Sequence, residues 1–423
     1  MNSKTQSRSP DDSGEQTLAP KRRFPEFAVK AGWNTIPGSE LFQQINKRRA
    51  PPGLPILAIT QEHGAIPRDM IDYHVSVTDQ SVETYKEVKP GDFIISLRSF
   101  QGGIEYSNYH GICSPAYVIL RKRTGISDLF FKHYFKSARF IQQLTRNLEG
   151  LRDGKMISYK QFSELHLLKP SLPEQQKIAD CLASADSLIE AQRWKVEALK
   201  SHKKGLMQQL FPQEGETQPR LRFPEFQAAG DWKGKTLGQI VQVTSGQVDP
   251  TESPYCDMPH IGGENIESDN VRLKPGKSAR ELGLISGKYL FDNSHVLYSK
   301  IRPALNKVAL PEFEGICSAE VYPIRPSGGK LSRLFLAYLL LSDAFLKYAT
   351  RHSDRSKIPK VNRESLLAYE TGIPSLSEQE RIAECFTSLD DHLAAETRKL
   401  MTLKAHKTGL VQQLFPQVME GDA

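Results

Sequence analysis

Only five cysteines occur in 423 residues, and none sits in a CxxC pair or in a Cys/His cluster at zinc spacing, which excludes a disulfide framework and a zinc centre of recognisable spacing. Long hydrophobic runs are missing as well: the longest, LFLAYLLLSDAFL, is broken by Asp343 and is too short to span a bilayer. The opening stretch, MNSKTQSRSPDDSGEQTLAPKRR, has no apolar core of the kind a signal peptide needs, so residues 1–20 are expected to form a flexible tail on a cytoplasmic protein. Phosphate-cradling GxGxxG and Walker A loops, a GxSxG elbow and an HExxH pair are all lacking, which leaves ATP, dinucleotide, serine-hydrolase and zinc-protease chemistry without their usual residues. Eleven histidines form no cluster. Asp72, Asp79 and Glu87 with Lys89 lie at a spacing too loose to specify a metal-nuclease centre. Neither sign of charge dominates: 56 basic against 49 acidic residues leave +7, which permits a polyanionic partner without requiring one.

What is present is a duplication. The segment from Leu172, LPEQQKIADCLASADSLIEAQRWKVEALKSHKKGLMQQLFPQ, matches the segment from Leu376, LSEQERIAECFTSLDDHLAAETRKLMTLKAHKTGLVQQLFPQ, at about half of roughly 42 positions without a gap, offset by 376 − 172 = 204. PKRRFPEF, followed after five residues by Trp33, returns as PRLRFPEF before Trp232, and GICS at 111–114 returns at 315–318. The first echo has an offset of 232 − 33 = 199 and the second of 204, so the second body carries an insertion. Cys113 and Cys317 are equivalent, as are Cys181 and Cys385, with Cys256 left over; such positions read as small buried residues rather than as bonded partners.

The matched segments read as long helices. Ile178, Leu182, Ile189, Val196 and Leu199 in the first copy, and Ile382, Phe386, Leu389, Leu393, Leu400 and Leu403 in the second, follow the alternating three and four spacing of a heptad seam. Polar residues fill some slots: Gln192 and Lys203, then Glu396 and Lys407. Pro173 in the first turn and a capping box of Ser377 with Glu380 mark the starts, and Pro212 and Pro416 the stops. A helix of about 40 residues is about 60 Å long, more than one domain needs. Two such helices related by a pseudo-two-fold axis would run antiparallel with a body at either end.

Each body holds short β-rich runs, among them PILAIT, DFIISL, PAYVIL, HVLYSKI and GICSAEVYPI, followed by one helical stretch, LFFKHYFKSARFIQQLT or LSRLFLAYLLLSDAFLKYAT. The class is α+β. Basic and amide residues gather at comparable loops of the two copies: Arg98 and Gln101 against Lys300 and Arg302, then Arg152, Lys155 and Lys160 against Arg355, Lys357 and Lys360. Loops of this composition can grip phosphates and reach base edges, with Arg forking to guanine and Gln to adenine.

With two unlike bodies alternating with two matched helices, the LPEQQKIA and LSEQERIA openings, the QQLFP endings and the RFPEF entries, the chain resembles the specificity subunits of type I restriction-modification enzymes. That resemblance implies two target-recognition domains, 21–171 and 214–375, alternating with conserved antiparallel coiled-coil helices at 172–213 and 376–417, and a C-terminal tail at 418–423. It implies a non-catalytic subunit that binds an asymmetric bipartite site on double-stranded DNA, in which the helix pair sets the half-site distance and docks two modification subunits. Restriction subunits acting as translocase and nuclease would join them. S-adenosylmethionine, ATP and Mg would belong to those partners and not to this chain. The basic residues Lys21, Arg22 and Arg23 of the N-terminal segment are assigned only nonspecific phosphate attraction. Two other readings of the residues stay open: a coiled-coil adaptor without DNA specificity, and a self-contained DNA-modifying enzyme with a disguised site.

Overall fold

The computed structural model describes residues 18–48, 51–71, 82–146, 157–354 and 356–416. The chain divides into two units, 1–191 with 400–423 and 192–399.

In the first unit the segment before the body is tied down early. Leu18 bridges Trp33, whose N–H donates to the Leu18 carbonyl at 2.7 Å. Strands β1 (Asn34–Pro37) and β10 (His166–Lys169) pair antiparallel and close the body on itself. After α1 (Gly38–Leu41) the main sheet takes the order β2-β9-β6-β7, formed by β2 (Phe42–Ile45), β6 (Phe93–Ile95), β7 (Glu105–Tyr106) and β9 (Val118–Lys122). Phe93 to Ile95 and Val118 to Leu120 are all buried, the continuous apolar pattern of strands covered on both faces. β3 (Leu57–Thr60) and β4 (Gly64–Pro67) form a hairpin, and β5 (Lys86–Val88) pairs β8 (Gly111–Cys113). A short α2 (Ser99–Gly102) follows β6. The single helical stretch expected at 129–145 is two helices, α3 (Asp128–Tyr134) and α4 (Ala138–Arg146). Ser137 divides them, because its hydroxyl accepts from the Phe140 N–H and starts a new helix. A last helix, α5 (Tyr159–Glu164), starts from a capping box of Ser158 and Gln161.

The second unit repeats this plan. β11 (Lys233–Thr236) pairs β19 (Glu370–Ile373), with α7 (Leu237–Ile240) after β11. β12 (Val241–Val243), β15 (Val296–Ser299), β16 (Val308–Ala309) and β18 (Val321–Pro326) take the order β12-β18-β15-β16. β13 (His260–Ile261) and β14 (Tyr289–Phe291) flank β17 (Gly315–Cys317). Here too Ser342 splits one expected stretch into α8 (Arg333–Leu341) and α9 (Asp343–Arg351), and α10 (Arg363–Ala368) precedes β19. All five thiols are free.

The two matched segments are helices of 39 residues, α6 (Leu172–Leu210) and α11 (Leu376–Leu414). The capping box expected at Ser377 and Glu380 does not form. Ser375 caps instead, its hydroxyl accepting from the Glu378 N–H at 3.4 Å. The Glu378 carboxylate is turned away from the cap by Arg222.

Seam residues take two different roles. Ile178 and Leu182 share one core with Trp33 and Phe130, and Leu414 of α11 enters the same core. Ile382 and Phe386 belong to the core of the second unit beside Trp232 and Phe335, with Leu389 packed against it. Val196 is buried, whereas Ile189, Leu199, Leu393, Leu400 and Leu403 are half-buried. Where the helices meet within a unit, polar side chains join them. In the second unit Gln192 donates to Glu396 at 2.6 Å and Lys203 to Asp390 at 2.6 Å, so the two segments there run in opposite chain directions. In the first unit Lys407 pairs with Asp186. Lys203 and Lys407, like Asp390 and Asp186, are equivalent at the offset of 204.

His133 of α3 lies against that Asp186, at 3.9 Å. Burial holds its imidazole down at about 4, reinforced by Lys407 and Lys132 and opposed by Asp186. The unfolded chain titrates this histidine near 6.5, so the unfolded state binds the extra proton first as pH falls. Stability of the first unit is therefore fully present above about pH 6.5 and declines as pH falls through the interval to about 4. Urea unfolding at several pH values checks this: His133→Gln is expected to flatten that part of the profile.

Candidate nucleic-acid interface

β15 delivers the chain into the turn that carries Lys300 and Arg302. Lys300 is half-buried, its ammonium 5.0 Å from the centre of the Tyr322 ring, a cation-π contact that steadies it. Desolvation lowers its pKa from the usual lysine value, and the like charge of Lys360 lowers it further. Arg302 is exposed and adopts a left-handed backbone, φ 48° and ψ 60°. Its N–H donates to the Pro359 carbonyl at 2.6 Å, Ile301 bridges Lys360, and the Val361 N–H donates to the Lys300 carbonyl at 2.9 Å. The two basic segments of the second body, far apart in sequence, thus lie side by side. Lys357 and Lys360 are exposed beside them, with Lys360 4.0 Å from Asp354; Arg355 lies outside the described residues. An exposed guanidinium among ammonium groups can pair bidentately with a phosphate or a guanine edge while its neighbours hold adjacent phosphates.

In the first unit the equivalent turn follows β6. Arg98 and Gln101 are exposed there. The tip of the β3–β4 hairpin lies against it: a Cβ on Gly102 would come within 2.6 Å of the Gln61 side chain. Lys160 is exposed on α5, a different element, and Arg152 and Lys155 lie outside the described residues.

Arg23 is not a free phosphate-seeking charge. Its guanidinium forks onto Glu174 at 2.9 and 2.7 Å, and Trp33 Nε1 donates to the same carboxylate at 3.1 Å. The second unit repeats the arrangement with Arg222, Trp232 and Glu378. The next residue is also committed: Gln175 accepts from the Ser127 N–H and donates to the Pro170 carbonyl, and Gln379 does the same with Ser332 and Pro374. The repeated EQ dipeptide therefore ties each long helix to the entry segment before its body and to the N-cap of a helix within it, α3 in the first unit and α8 in the second. Its recurrence with an Arg and a Trp in both copies was the signal in the sequence; the periodic reading registered only a helix start. Glu87, the acid closest to a nuclease pattern, is held by Lys47 at 2.7 Å and His110 at 2.9 Å. Those bonds keep its carboxyl low, at about 2, the Lys47 bond contributing most. Asp72 and Asp79 lie outside the described residues.

Residues 229–405 match the family model described as the type I restriction modification DNA specificity domain. The type I restriction enzyme EcoDI specificity subunit of Escherichia coli is 27 % identical over 214 residues, 50 % of this chain and 47 % of that one. The MjaVIII specificity subunit of Methanocaldococcus jannaschii is 24 % identical over 343 residues, 78 % of this chain and 79 % of its own. The match thus spans about half the length of the first relative. Among solved structures, the S subunit of a type I restriction-modification system from M. genitalium aligns with a TM-score of 0.54 at 14 % identity, covering 95 % of this chain and 100 % of that one. A chain from a study of complex assembly and conformational transition in the type I R-M system aligns with a TM-score of 0.54 at 17 % identity, over 93 % of this chain and 98 % of that one. At these identities the two structures establish a shared fold.

Proposed function

We propose that this chain is a specificity subunit of a type I restriction-modification system, a non-catalytic subunit reading an asymmetric, bipartite site on double-stranded DNA. The observation that carries the reading to this chain is the basic ridge of the second unit, where Lys300, Arg302, Lys357 and Lys360 come together from two distant segments. The exposed Arg98 and Gln101 at the equivalent turn of the first unit support a second, differently composed reading surface. Unlike side chains at equivalent turns call for unlike half-sites, in contrast to the palindrome that a symmetric dimer reads.

The long helices complete the proposal as an antiparallel coiled-coil pair. At 39 residues each spans about 58 Å. The equivalent polar pairs Lys203–Asp390 and Lys407–Asp186 support that pairing. The pair would also dock two modification subunits, with restriction subunits joining them. S-adenosylmethionine, ATP and Mg act on those partners in this reading.

Neutralising the ridge tests it. In Lys300→Ala/Arg302→Ala/Lys357→Ala/Lys360→Ala, specific affinity is expected to fall by about a hundredfold or more, and the slope of log affinity against log salt to become shallower by roughly 0.9 for each phosphate that is no longer neutralised. A coiled-coil adaptor without DNA specificity predicts no change in either quantity.

A further inference from the structure

Among the described residues of the second unit, three that are not glycine have left-handed backbones: Asp269 (φ 59°), Arg302 (φ 48°) and Asn306 (φ 47°). L side chains adopt this conformation rarely, and it persists where surrounding interactions over-determine it. For Asp269 and Asn306 those interactions form one chain of bonds; Arg302, whose own N–H is held by the Pro359 carbonyl, joins that chain through the single turn Pro303–Leu305, where the Leu305 N–H donates to the Arg302 carbonyl at 2.9 Å. The Asp269 N–H donates to the Asn306 carbonyl at 3.0 Å, and Asn306 Nδ2 donates to Asp269 Oδ1 at 2.9 Å and to the Leu341 carbonyl at 3.2 Å. Lys203 of α6 then donates to the Asp269 carbonyl at 2.9 Å and to Asp390 of α11 at 2.6 Å, and Tyr338 donates to the other Asp390 oxygen at 3.0 Å. The turn Arg302–Asn306 is thereby fastened, through Asp269, to a buried lysine on the long helix.

The first unit fixes the equivalent turn by other means. β6 begins at Phe93 and β15 at Val296, an offset of 203, which makes Gly103 the counterpart of Asn306. Gly103 has φ 81°, and a Cβ there would come within 1.9 Å of the Phe135 carbonyl, so the backbone itself seats the turn. Lys136 adds a bond from Nζ to the Gly102 carbonyl at 2.9 Å. Lys407, the counterpart of Lys203, is spent on Asp186.

We propose that Lys203 is a positioning residue for DNA reading by the second unit: through Asp269 and Asn306 it holds the Arg302 turn in its left-handed conformation. No corresponding lysine of the long helices serves the first unit's turn among the described residues. The inference rests on the reading of the Arg302 turn as a DNA-contacting element. A guanidinium forks onto a base edge in one geometry but attracts phosphate from many, so loosening the anchor weakens discrimination more than phosphate attraction.

The test uses the full chain, purified from its host with the subunits that accompany it, equilibrated with randomised duplexes whose retained fraction is sequenced. Arg302→Ala identifies the half-site read by the second unit. Lys203→Met is expected to lower discrimination in that half about tenfold while leaving the other half unchanged, and Lys204→Met, at the exposed neighbouring position of α6, to leave both unchanged. Asn306→Gly keeps a left-handed backbone accessible but removes both side-chain bonds, so it gives the same one-sided loss without stranding a buried charge, and it decides the matter if Lys203→Met does not fold. An undiminished second half in either folded variant, or equal weakening of both halves, overturns the positioning role. A native motif that Arg302→Ala leaves intact overturns the reading of the turn, and a native chain that selects no motif overturns DNA reading itself together with this inference.

Discussion

Arg222→Ala is expected to destabilise the second unit by about 3–5 kcal/mol, the usual cost of removing one partner of a buried ion pair. Glu378 is only 1 % exposed, and Arg222 meets it with two bonds of 2.8 and 2.6 Å. Without the guanidinium the carboxylate stays in the interior with the Trp232 indole as its one remaining side-chain donor among the described residues, at 3.3 Å. The Ala229 carbonyl, at 3.0 Å from the guanidinium, loses its donor as well. Adding Glu378→Gln should recover part of the loss, because the stranded charge is then gone and the double-mutant coupling is large. Urea unfolding of the single and double variants measures it. A loss below about 1 kcal/mol would class the pair with exposed ones and contradict the anchoring role given to the repeated Arg, Trp and Glu.

Phe415→Ala is expected to cost about 3–5 kcal/mol in the first unit, the range for emptying a large aromatic site. Although it lies close to the end of the chain, Phe415 is 1 % exposed. Its ring centre is 5.4 Å from Phe130, 5.8 Å from Tyr134 and 6.3 Å from Trp33. Just before it, the Gln413 carbonyl accepts from the Arg22 N–H at 3.0 Å, fastening the last turn of α11 to the entry segment. Phe211 occupies the same place in the second unit, between Phe335 and Phe386, and the Gln209 carbonyl accepts from the Leu221 N–H. The repeated QQLFP phrase is therefore a plug: each copy ends a long helix inside an aromatic core. Denaturation of Phe415→Ala gives the cost, and a change within about 0.5 kcal/mol would mark the position as a surface one.

Much of this was legible from the duplication. Two ungapped copies located the helices, and the buried runs at 93–95 and 118–120 were already continuous apolar stretches in the sequence. What stayed hidden depended on interactions between distant residues. A heptad reading sees one apolar face, so Ile178, Leu182, Ile382 and Phe386 read as helix-pair positions, whereas a helix lying on a body must bury a second wall there. Arg23 looked like tail charge because its partner, Glu174, is 151 positions away. Ser377 satisfied the capping-box spacing, but the helix already begins at Leu376, and Ser375 in front of it takes the cap. At the candidate interface the basic residues were visible, while their convergence was not: the bridge between Ile301 and Lys360 has no local signature, and the left-handed backbone at Arg302 carries no glycine to announce it.

The measurement that bears most directly on DNA specificity is a map of base methylation across the host genome, by single-molecule sequencing, with the gene intact, deleted and restored, in cells that express the modification subunit. Loss on deletion and return on restoration of one asymmetric motif, split by unread base pairs, is the predicted result. A methylation pattern indifferent to this chain while that subunit is present and active would contradict it.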